Sequence, residues 1–212
     1  GLYVSPRKQE RGSWQVTVSS ETEHAQPGDR VVYTFLSPEG ETVAVAEAAC
    51  DAEISFPVED PALWSVDTPK VYTLRAALLR GEEVLDELTT SCGFRTLELS
   101  PDKGLLVNGQ RVVLHGVCLH HDLGCLGAAF NRDAARRQLE IMKEMGVNAL
   151  RTSHNMPAPA VMDLADEMGI LVLDEAFDMW LRSKTPYDYA RFFPQWFKKD
   201  VASWVRRDRN HP

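Results

Sequence analysis

The stretch Asn148–Pro157, Asn-Ala-Leu-Arg-Thr-Ser-His-Asn-Met-Pro, decides how the second half of the chain is interpreted. Its apolar run stops abruptly and is followed by a cation, a hydroxyl and an imidazole, those of Arg151, Ser153 and His154. A buried strand with polar groups at its carboxyl end is typical of the mouth of an α/β barrel. A lone histidine in such a place is more often structural than functional, so the meaning of His154 depends on its neighbours.

Strands and helices alternate around this stretch. Asn108-Gly109 predicts a hairpin whose second arm becomes the first of three buried strands. The predicted strands are Val112–Val117, Val147–Leu150 and Ile170–Leu173. A helix should follow each strand, and Asn131 and Gly146 suit the two ends of the first helix. This order predicts a parallel α/β arrangement. By pattern alone a doubly wound sheet fits as well as a barrel, although no G-x-G-x-x-G or P-loop follows any strand.

The first half of the chain has a different period. From Trp14 to Thr96 apolar residues alternate with polar ones, and turn residues recur every eight to twelve positions. This pattern predicts a β-sandwich, in which Trp64 pins a loop against the core. Residues 1–13 are polar and predict a linker. The sandwich has no cluster of acids, histidines or cysteines with catalytic spacing, so we expect it to be a scaffold.

Bulk properties exclude several classes of partner. The 212 residues are 44% hydrophobic, which suits a globular protein, and the net charge of −8 argues against nucleic acid. No apolar run approaches the roughly 20 residues that span a bilayer, so we expect no membrane partner. The four cysteines form no CxxC pair. They are predicted to be buried free thiols rather than a disulfide framework or a zinc site.

The motifs resemble glycoside hydrolase family 2, the family of β-galactosidases and β-glucuronidases. Asn148–Pro157 is similar to its first signature, and Leu114–Asp122 to its first barrel strand and loop. Asp60–Leu74 and Cys92–Thr96 resemble its immunoglobulin-like domain, and Arg207–Pro212 the opening of its second signature. The resemblance implies a linker at 1–13, an immunoglobulin-like β-sandwich at 14–96, and at 97–212 the first three β/α units of a (β/α)₈ TIM barrel.

The resemblance also implies that this chain is a piece of a retaining exo-glycosidase, most directly a β-galactosidase. In relatives the second signature continues into a strand that ends in Trp…Asn-Glu, where the Glu is the general acid/base. Both catalytic glutamates are therefore expected beyond Pro212, and no catalytic residue is expected in this chain. Its substrate would be a β-galactoside or a related β-glycoside.

The expected substrate-binding residues lie after the three strands. They are His120, His121, Asp122, Arg151, His154, Asn155, Asp178 and Trp180. The resemblance implies that His120 and His154 form hydrogen bonds to sugar hydroxyls in the transition state. Arg151 should either orient a carboxylate, such as the missing nucleophile, or form a structural ion pair.

Two further features bear on the chemistry. Asp174 and Glu175 are adjacent on a strand end, so their side chains should point to opposite sides and not form a catalytic pair. They are expected to be structural or to support the residues that bind the substrate. Magnesium-dependent relatives carry a Glu-x-His pair after this strand, whereas this chain reads Asp-Glu-Ala-Phe-Asp-Met-Trp at 174–180. We therefore expect no metal and no cofactor.

Two alternative functions stay open at this point. The chain could be a non-catalytic carbohydrate-binding β-sandwich with a structural α/β appendage, or it could come from another barrel hydrolase such as an endo-mannanase. Three barrel strands also leave two unpaired sheet edges. We expect the open edge to be covered by a second copy, as a homo-oligomer, or by rearrangement of the last helix.

Overall fold

The structure, a computed structural model, describes residues 1–212 apart from the side chain of Arg11. The chain divides into two compact units. The first comprises Gly1–Val112 and Asn210–Pro212, and the second Val113–Arg209. The domain limits expected from the sequence, with a boundary between residues 96 and 97, remain a proposal. No helix of the described residues is long and apolar enough to cross a membrane.

The first unit contains an antiparallel sandwich. One sheet has the order β1-β2-β5 and the other β4-β3-β6-β7. The strands are β1 (Leu2–Lys8), β2 (Trp14–Ser20), β3 (Arg30–Leu36), β4 (Thr42–Ala49), β5 (Ile54–Val58), β6 (Tyr72–Arg80) and β7 (Glu83–Cys92). Alternate residues of β2, β3 and β6 are buried, which is the period of two seen in the sequence. The sandwich followed by the start of a barrel is the predicted fold class.

The prediction of a linker was wrong for residues 2–8, which form β1. Each residue from Leu2 to Lys8 pairs with β2, and Val4 is 1% exposed in the core. Asn210 closes the other side of this strand, because its amide donates to Leu2 O at 2.9 Å and its oxygen accepts from Val4 N at 3.1 Å. The polar composition did not indicate this strand, which forms through its pairing with β2 and its two bonds to Asn210.

Aromatic side chains fill the sandwich core. Phe94 contacts three other rings, with centroid distances of 4.7 Å to Tyr72, 5.3 Å to Trp14 and 6.0 Å to Phe35. Trp64 is fully buried, and its carbonyl accepts a hydrogen bond from Asn108 Nδ2 at 3.0 Å. The predicted role of Trp64 as a loop anchor is confirmed, and its burial removes it as a sugar-stacking surface.

A small sheet follows the sandwich. It contains β8 (Leu97–Ser100), β9 (Gly104–Val107) and β10 (Gln110–Arg111) in the order β10-β9-β8. The predicted hairpin is present, and Asn108 and Gly109 both have positive φ, 53° and 78°, as its turn requires. The second arm ends at Arg111, however, and does not become the first barrel strand. That strand is β11 (Gly116–Leu119), four residues further on.

The second unit is a parallel three-stranded sheet in the order β11-β12-β13, with β12 at Ala149–Thr152 and β13 at Leu171–Leu173. Its helices are α1 (Arg132–Glu144), α2 (Pro159–Met168) and α3 (Phe193–Asp208). The predicted ends of α1 are observed: Asn131 Oδ1 accepts from Ala134 N at 2.9 Å, and Gly146 follows the helix with a positive φ of 87°. Gly169 ends α2 in the same way, in the left-handed region at φ 69°. The sequence of β11, α1, β12, α2, β13 and α3 is the expected start of a barrel.

The core of this unit lies on one face of the sheet. Val117, Leu150 and Val172 pack with Leu139 of α1 and Leu164 of α2. These five positions lie on the side that the helices cover, as the period of each element requires. The residues between them in the strands therefore point to the opposite face, which is the inner face of a closed barrel.

Several side chains are less buried than the sequence predicts. The helical period predicts that Met145 and Val205 lie on apolar helix faces, but they are 73% and 52% exposed. The four cysteines are free thiols, but only Cys92 is buried, and Cys118 is exposed. Cys118 is exposed because it pairs in register with Arg151 and so faces away from the helices.

Candidate functional site

The strand register places the polar groups on the inner face of the sheet. Cys118, Arg151 and Leu173 are opposite one another across β11, β12 and β13. Glu175 follows Leu173 by two positions, so its side chain returns to the same face, whereas Asp174 points to the helix side. The two carboxylates are therefore separated as the sequence predicted.

Arg151 is the centre of a hydrogen-bonded cluster. Its Nε donates to Glu175 Oε1 at 2.5 Å, and its Nη1 donates to Ser153 Oγ at 3.1 Å. Its Nη2 lies 3.1 Å from His154 Nδ1. Each nitrogen of the guanidinium thus has a partner on the strand ends. Two roles were expected for Arg151, orientation of a carboxylate or a structural ion pair. In the structure Arg151 forms an ion pair with Glu175 and also lies beside His154.

The same guanidinium affects a thiol. Arg151 Nη1 lies 3.4 Å from Cys118 Sγ. The pKa of the Cys118 thiol is lowered, mainly by the hydrogen bond from Arg151 and then by one from Ser153. The pKa of Arg151 is raised by its hydrogen bonds to Cys118 and Glu175, so the side chain is a permanent cation. The inner face of the sheet therefore has a permanent positive charge on Arg151, which is paired with the carboxylate of Glu175.

The two predicted histidines lie next to each other. The rings of His120 and His154 are 5.4 Å apart between centroids and meet edge to face at 80°. His154 Nδ1 is also 3.5 Å from Glu175 Oε2, further than it is from Arg151. The peptide bond between Ser153 and His154 is cis. The loops after β11 and β12, which are separate in sequence, thus place their two imidazole rings in contact.

Asp174 has a structural role on the other side of the sheet. Thr152 Oγ1 donates to its Oδ1 at 3.1 Å, and the Trp204 indole N–H of α3 donates to its Oδ2. Partial burial raises the pKa of Asp174, and the neighbouring Asp208 raises it further. This carboxylate joins β12, β13 and α3, and it also lines the open pocket that contains Arg151 and Glu175.

The remaining predicted residues occupy the loops around the cluster. Asp178 and Trp180 line the same open pocket as Arg151 and His154, together with Lys184, whose Nζ donates to Asp178 Oδ1 at 2.7 Å. Trp180 is 64% exposed and lies 5.6 Å from the Phe193 ring. A large exposed indole beside charged groups is the surface that an apolar sugar face requires.

Three predicted residues lie apart from this pocket. His121 Nε2 is 2.8 Å from Asn155 Oδ1, and Asp122 Oδ1 accepts from Gly124 N at 2.7 Å. His120, His121 and Asp122 line a second cavity between the β11 loop and the helices, and Asn155 lines a third. The structure thus groups Arg151, His154, Asp178 and Trp180, with His120 at their edge, and places His121, Asp122 and Asn155 in supporting contacts of the loops.

Glu175 and Lys184 were missed by the sequence as members of the site. Glu175 was expected to be structural with Asp174, but its carboxylate contacts both Arg151 and His154. The alternation along β13 could have identified it, because it shares a face with Arg151 once the register is known. Among the described residues, no group of three or more His, Cys, Asp or Glu side chains is placed to hold a metal ion.

Comparison with known proteins gives consistent matches over both units. The model of the glycosyl hydrolases family 2 TIM barrel domain matches residues 99–212, and a second family 2 model matches residues 2–95. A β-galactosidase of Bacteroides ovatus, BoGH2A, is 48% identical over 93% of this chain and 23% of its own length. A β-glucuronidase of Bacteroides fragilis is 31% identical over 73% of this chain and 23% of its own length.

Solved structures agree in shape. A β-glycosidase of Bacteroides vulgatus superposes on 100% of this chain and 28% of its own with a TM-score of 0.95 and 39% identity. A family 2 member from Bacteroides cellulosilyticus covers 100% of this chain and 29% of its own with a TM-score of 0.90 and 37% identity. This chain therefore spans about a quarter of the length of the proteins that it matches.

Proposed function

The chain belongs to glycosyl hydrolase family 2, and on that premise we propose that the protein containing it is a retaining exo-glycosidase, most directly a β-galactosidase. The chain supplies the immunoglobulin-like sandwich and the first three β/α units of the TIM barrel. The substrate is a terminal β-galactoside or a related β-glycoside. The 48% identity to a β-galactosidase over 93% of the chain favours that glycone.

The observation that carries the proposal is the cluster on the inner face of the sheet. His154 and the cation of Arg151 lie beside the carboxylates of Glu175 and Asp178, and Trp180 exposes its ring next to them. A sugar presents hydroxyls that need both donors and acceptors, and a C–H face that packs on an aromatic ring. The residues of this pocket offer each of these groups at the carboxyl ends of barrel strands, where barrel enzymes bind substrate.

The chain contributes binding in the transition state rather than bond cleavage. His154 and His120 donate hydrogen bonds to hydroxyls of the terminal sugar as its ring gains oxocarbenium character. Contacts that strengthen in the transition state raise kcat, which is the most useful role for groups that do not react. The ring of Trp180 packs on the sugar face, and Asp178 accepts a hydrogen bond from a sugar hydroxyl beside the one that it accepts from Lys184.

The two reacting carboxyl groups come from residues outside 1–212. A retaining mechanism requires them to be about 5 Å apart on opposite sides of the bond. Asp174 accepts hydrogen bonds from Thr152 and Trp204, and Glu175 accepts one from Arg151. The two are adjacent at a strand end and their side chains leave it on opposite sides, so they cannot converge on one glycosidic bond as a retaining pair. Residues 1–212 alone should therefore not hydrolyse nitrophenyl β-galactoside. Turnover abolished by a single substitution within 1–212 would contradict this assignment.

A β-glucuronidase is the second candidate, because relatives with that name match the same residues. The two are separated by assaying the full-length protein on nitrophenyl β-galactoside and nitrophenyl β-glucuronide. Our proposal predicts a higher kcat/KM for the galactoside and a β anomer as the first product, observed by NMR before mutarotation. Preference for the glucuronide would move the assignment to the second candidate, and an α anomer would overturn the retaining mechanism.

A further inference from the structure

The position of the proton on His154 is set by its neighbours. An arginine side chain has five N–H donors and no acceptor. Because Arg151 Nη2 lies 3.1 Å from His154 Nδ1, that ring nitrogen accepts the hydrogen bond. A proton on Nδ1 would instead place two donors against each other. The neutral ring therefore has its proton on Nε2, the nitrogen that does not face Arg151.

The competing partner of Nδ1 is further away. Glu175 Oε2 lies 3.5 Å from His154 Nδ1. If that oxygen accepted a hydrogen bond from Nδ1, the neutral ring would have its proton on Nδ1 instead of Nε2. That distance is beyond the usual 2.7–3.2 Å range for N–H···O bonds, and Glu175 already accepts from Arg151 Nε through its other oxygen at 2.5 Å. The ion pair with Arg151 thus engages the Glu175 carboxylate, which would otherwise favour a proton on Nδ1 by accepting a hydrogen bond from it.

Arg151 cannot easily turn away from this position. Its Nε and Nη1 are bound to Glu175 and Ser153, and Ser153 is 2% exposed. The guanidinium is planar and its donors are fixed relative to one another, so two bonds determine where Nη2 points. The edge-to-face contact with His120 at 5.4 Å further restricts the His154 ring.

We propose that Arg151 is a positioning residue that holds His154 as the Nε2–H tautomer, so that His154 presents a hydrogen-bond donor to the substrate. This inference rests on the proposed function only for the identity of the acceptor, a hydroxyl of the terminal sugar. In the same arrangement, Glu175 is the partner that holds the Arg151 guanidinium in position. A lysine at position 151 has no planar fork and cannot hold Glu175, Ser153 and His154 together.

The test uses full-length protein with ¹⁵N-labelled histidine and long-range ¹H–¹⁵N spectra, which distinguish a protonated ring nitrogen from an unprotonated one. The His154 signals are assigned by their loss in His154→Phe. We expect Nε2–H in the unmodified protein. In Arg151→Met the proton should move toward Nδ1, where Glu175 becomes its acceptor. The matched control is Arg182→Met, which removes an exposed arginine outside the cluster and should leave the tautomer unchanged.

A second variant keeps the inference testable if Arg151→Met does not fold. His154→Gln places an amide donor near Nε2, whereas His154→Asn places its amide near Nδ1. The Gln variant should therefore retain kcat on the chosen glycoside better than the Asn variant, by roughly 10-fold, the effect of one hydrogen bond to a developing charge. An Nδ1–H tautomer in the unmodified protein, a doubly protonated ring, or an unchanged tautomer in Arg151→Met would overturn the inference. The spectra need no turnover, so they fail or succeed independently of the proposed activity.

Discussion

Among single residues, one arginine with four side-chain partners organises the site. Arg151 contacts Ser153 and His154 in the loop after β12, Glu175 after β13, and Cys118 on β11. A charged group with several bonds stabilises the arrangement of its neighbours more than any one bond would suggest. The inner face of the sheet therefore presents its histidine in a defined orientation.

His154→Phe should lower kcat and kcat/KM of the full-length protein together, by about 10- to 100-fold, since the lost hydrogen bond forms mainly in the transition state. Steady-state kinetics on nitrophenyl β-galactoside measure this. The matched control is His115→Phe, an exposed histidine whose side chain has no place in the cluster. A rise in KM with kcat unchanged would show instead that His154 binds the ground state.

In the sandwich, the Asp29 carboxylate makes the free energy of unfolding depend on pH in the acidic range. Its carboxylate accepts two bonds from Arg80, at 2.9 Å each, and one from Gln26 N at 2.7 Å. These bonds, that of Arg80 foremost, lower its pKa from 3.8 to about 2. The folded state therefore binds fewer protons than the unfolded one between these values, and the stabilisation present above them is lost as the pH falls through that window.

Asp29→Asn should accordingly destabilise the sandwich at pH 5 and by progressively less as the pH approaches 2. Urea denaturation at a series of pH values measures the difference from the unmodified protein. Asp67→Asn, at an exposed position, is the matched control and should show no such trend. A difference that stays constant from pH 5 to pH 2 would mean that the Arg80 contact contributes nothing through ionisation.

At the scale of elements, the α/β half could be predicted because its signals are local. Asn131 and Gly169 act through bonds within a few residues, so the limits of α1 and α2 followed from the sequence to within a few positions. The first barrel strand was misplaced because Val112 and Val113 are as apolar as a strand interior. The register to β12 begins only at Gly116, a fact of tertiary pairing.

The candidate site was predictable in part for the same reason. Arg151 lies near the carboxyl end of β12 and His154 follows that strand, so their place at the strand end follows from the local pattern. Glu175 could not be separated from Asp174 without the pairing of β12 with β13, which decides which carboxylate faces Arg151. Likewise β1 was missed, because residues 2–8 have a polar composition and become a strand only through pairing with β2.

A polar contact joins the helix α3 to the end of β13. The Trp204 indole donates to Asp174, whose carboxylate is partly buried. Trp204→Phe removes the donor but keeps an aromatic ring, and should weaken the docking of α3 by roughly 1.5–3 kcal/mol, the range for a hydrogen bond to a charged group. Hydrogen–deuterium exchange of the α3 amides in the full-length protein measures this.

Trp196→Phe is the matched control, because Trp196 is 47% exposed and stacks only under Lys199 on the same helix. It should leave the exchange of α3 unchanged. Equal protection in both variants would show that the hydrogen bond from Trp204 to Asp174 does not anchor α3.

At the scale of the whole molecule, residues 1–212 expose apolar side chains that an eight-stranded barrel would cover. Those of the second unit that are most exposed are Met145, Leu173, Leu181 and Tyr187. The sheet β11-β12-β13 also has two edges, which a closed barrel lacks. Unpaired edges and exposed apolar groups favour association with another chain.

Residues 1–212 produced alone should therefore self-associate, or rearrange α3 over the open face. Light scattering after size exclusion measures the first outcome, and exchange of the α3 amides the second. The sandwich closes its own core and should melt as a separate transition. A monodisperse monomer that melts in one step and binds no hydrophobic dye would contradict this expectation.

The central claim is that the ends of β11, β12 and β13 bind the terminal sugar. A crystal structure of the full-length protein with a non-hydrolysable β-galactoside tests it most directly. We expect a sugar ring packed on Trp180, with a hydroxyl oxygen within hydrogen-bond distance of His154 Nε2 and with Glu175 still bound to Arg151. A sugar bound on the sandwich, or in the barrel without contact to His154 and Trp180, would contradict it.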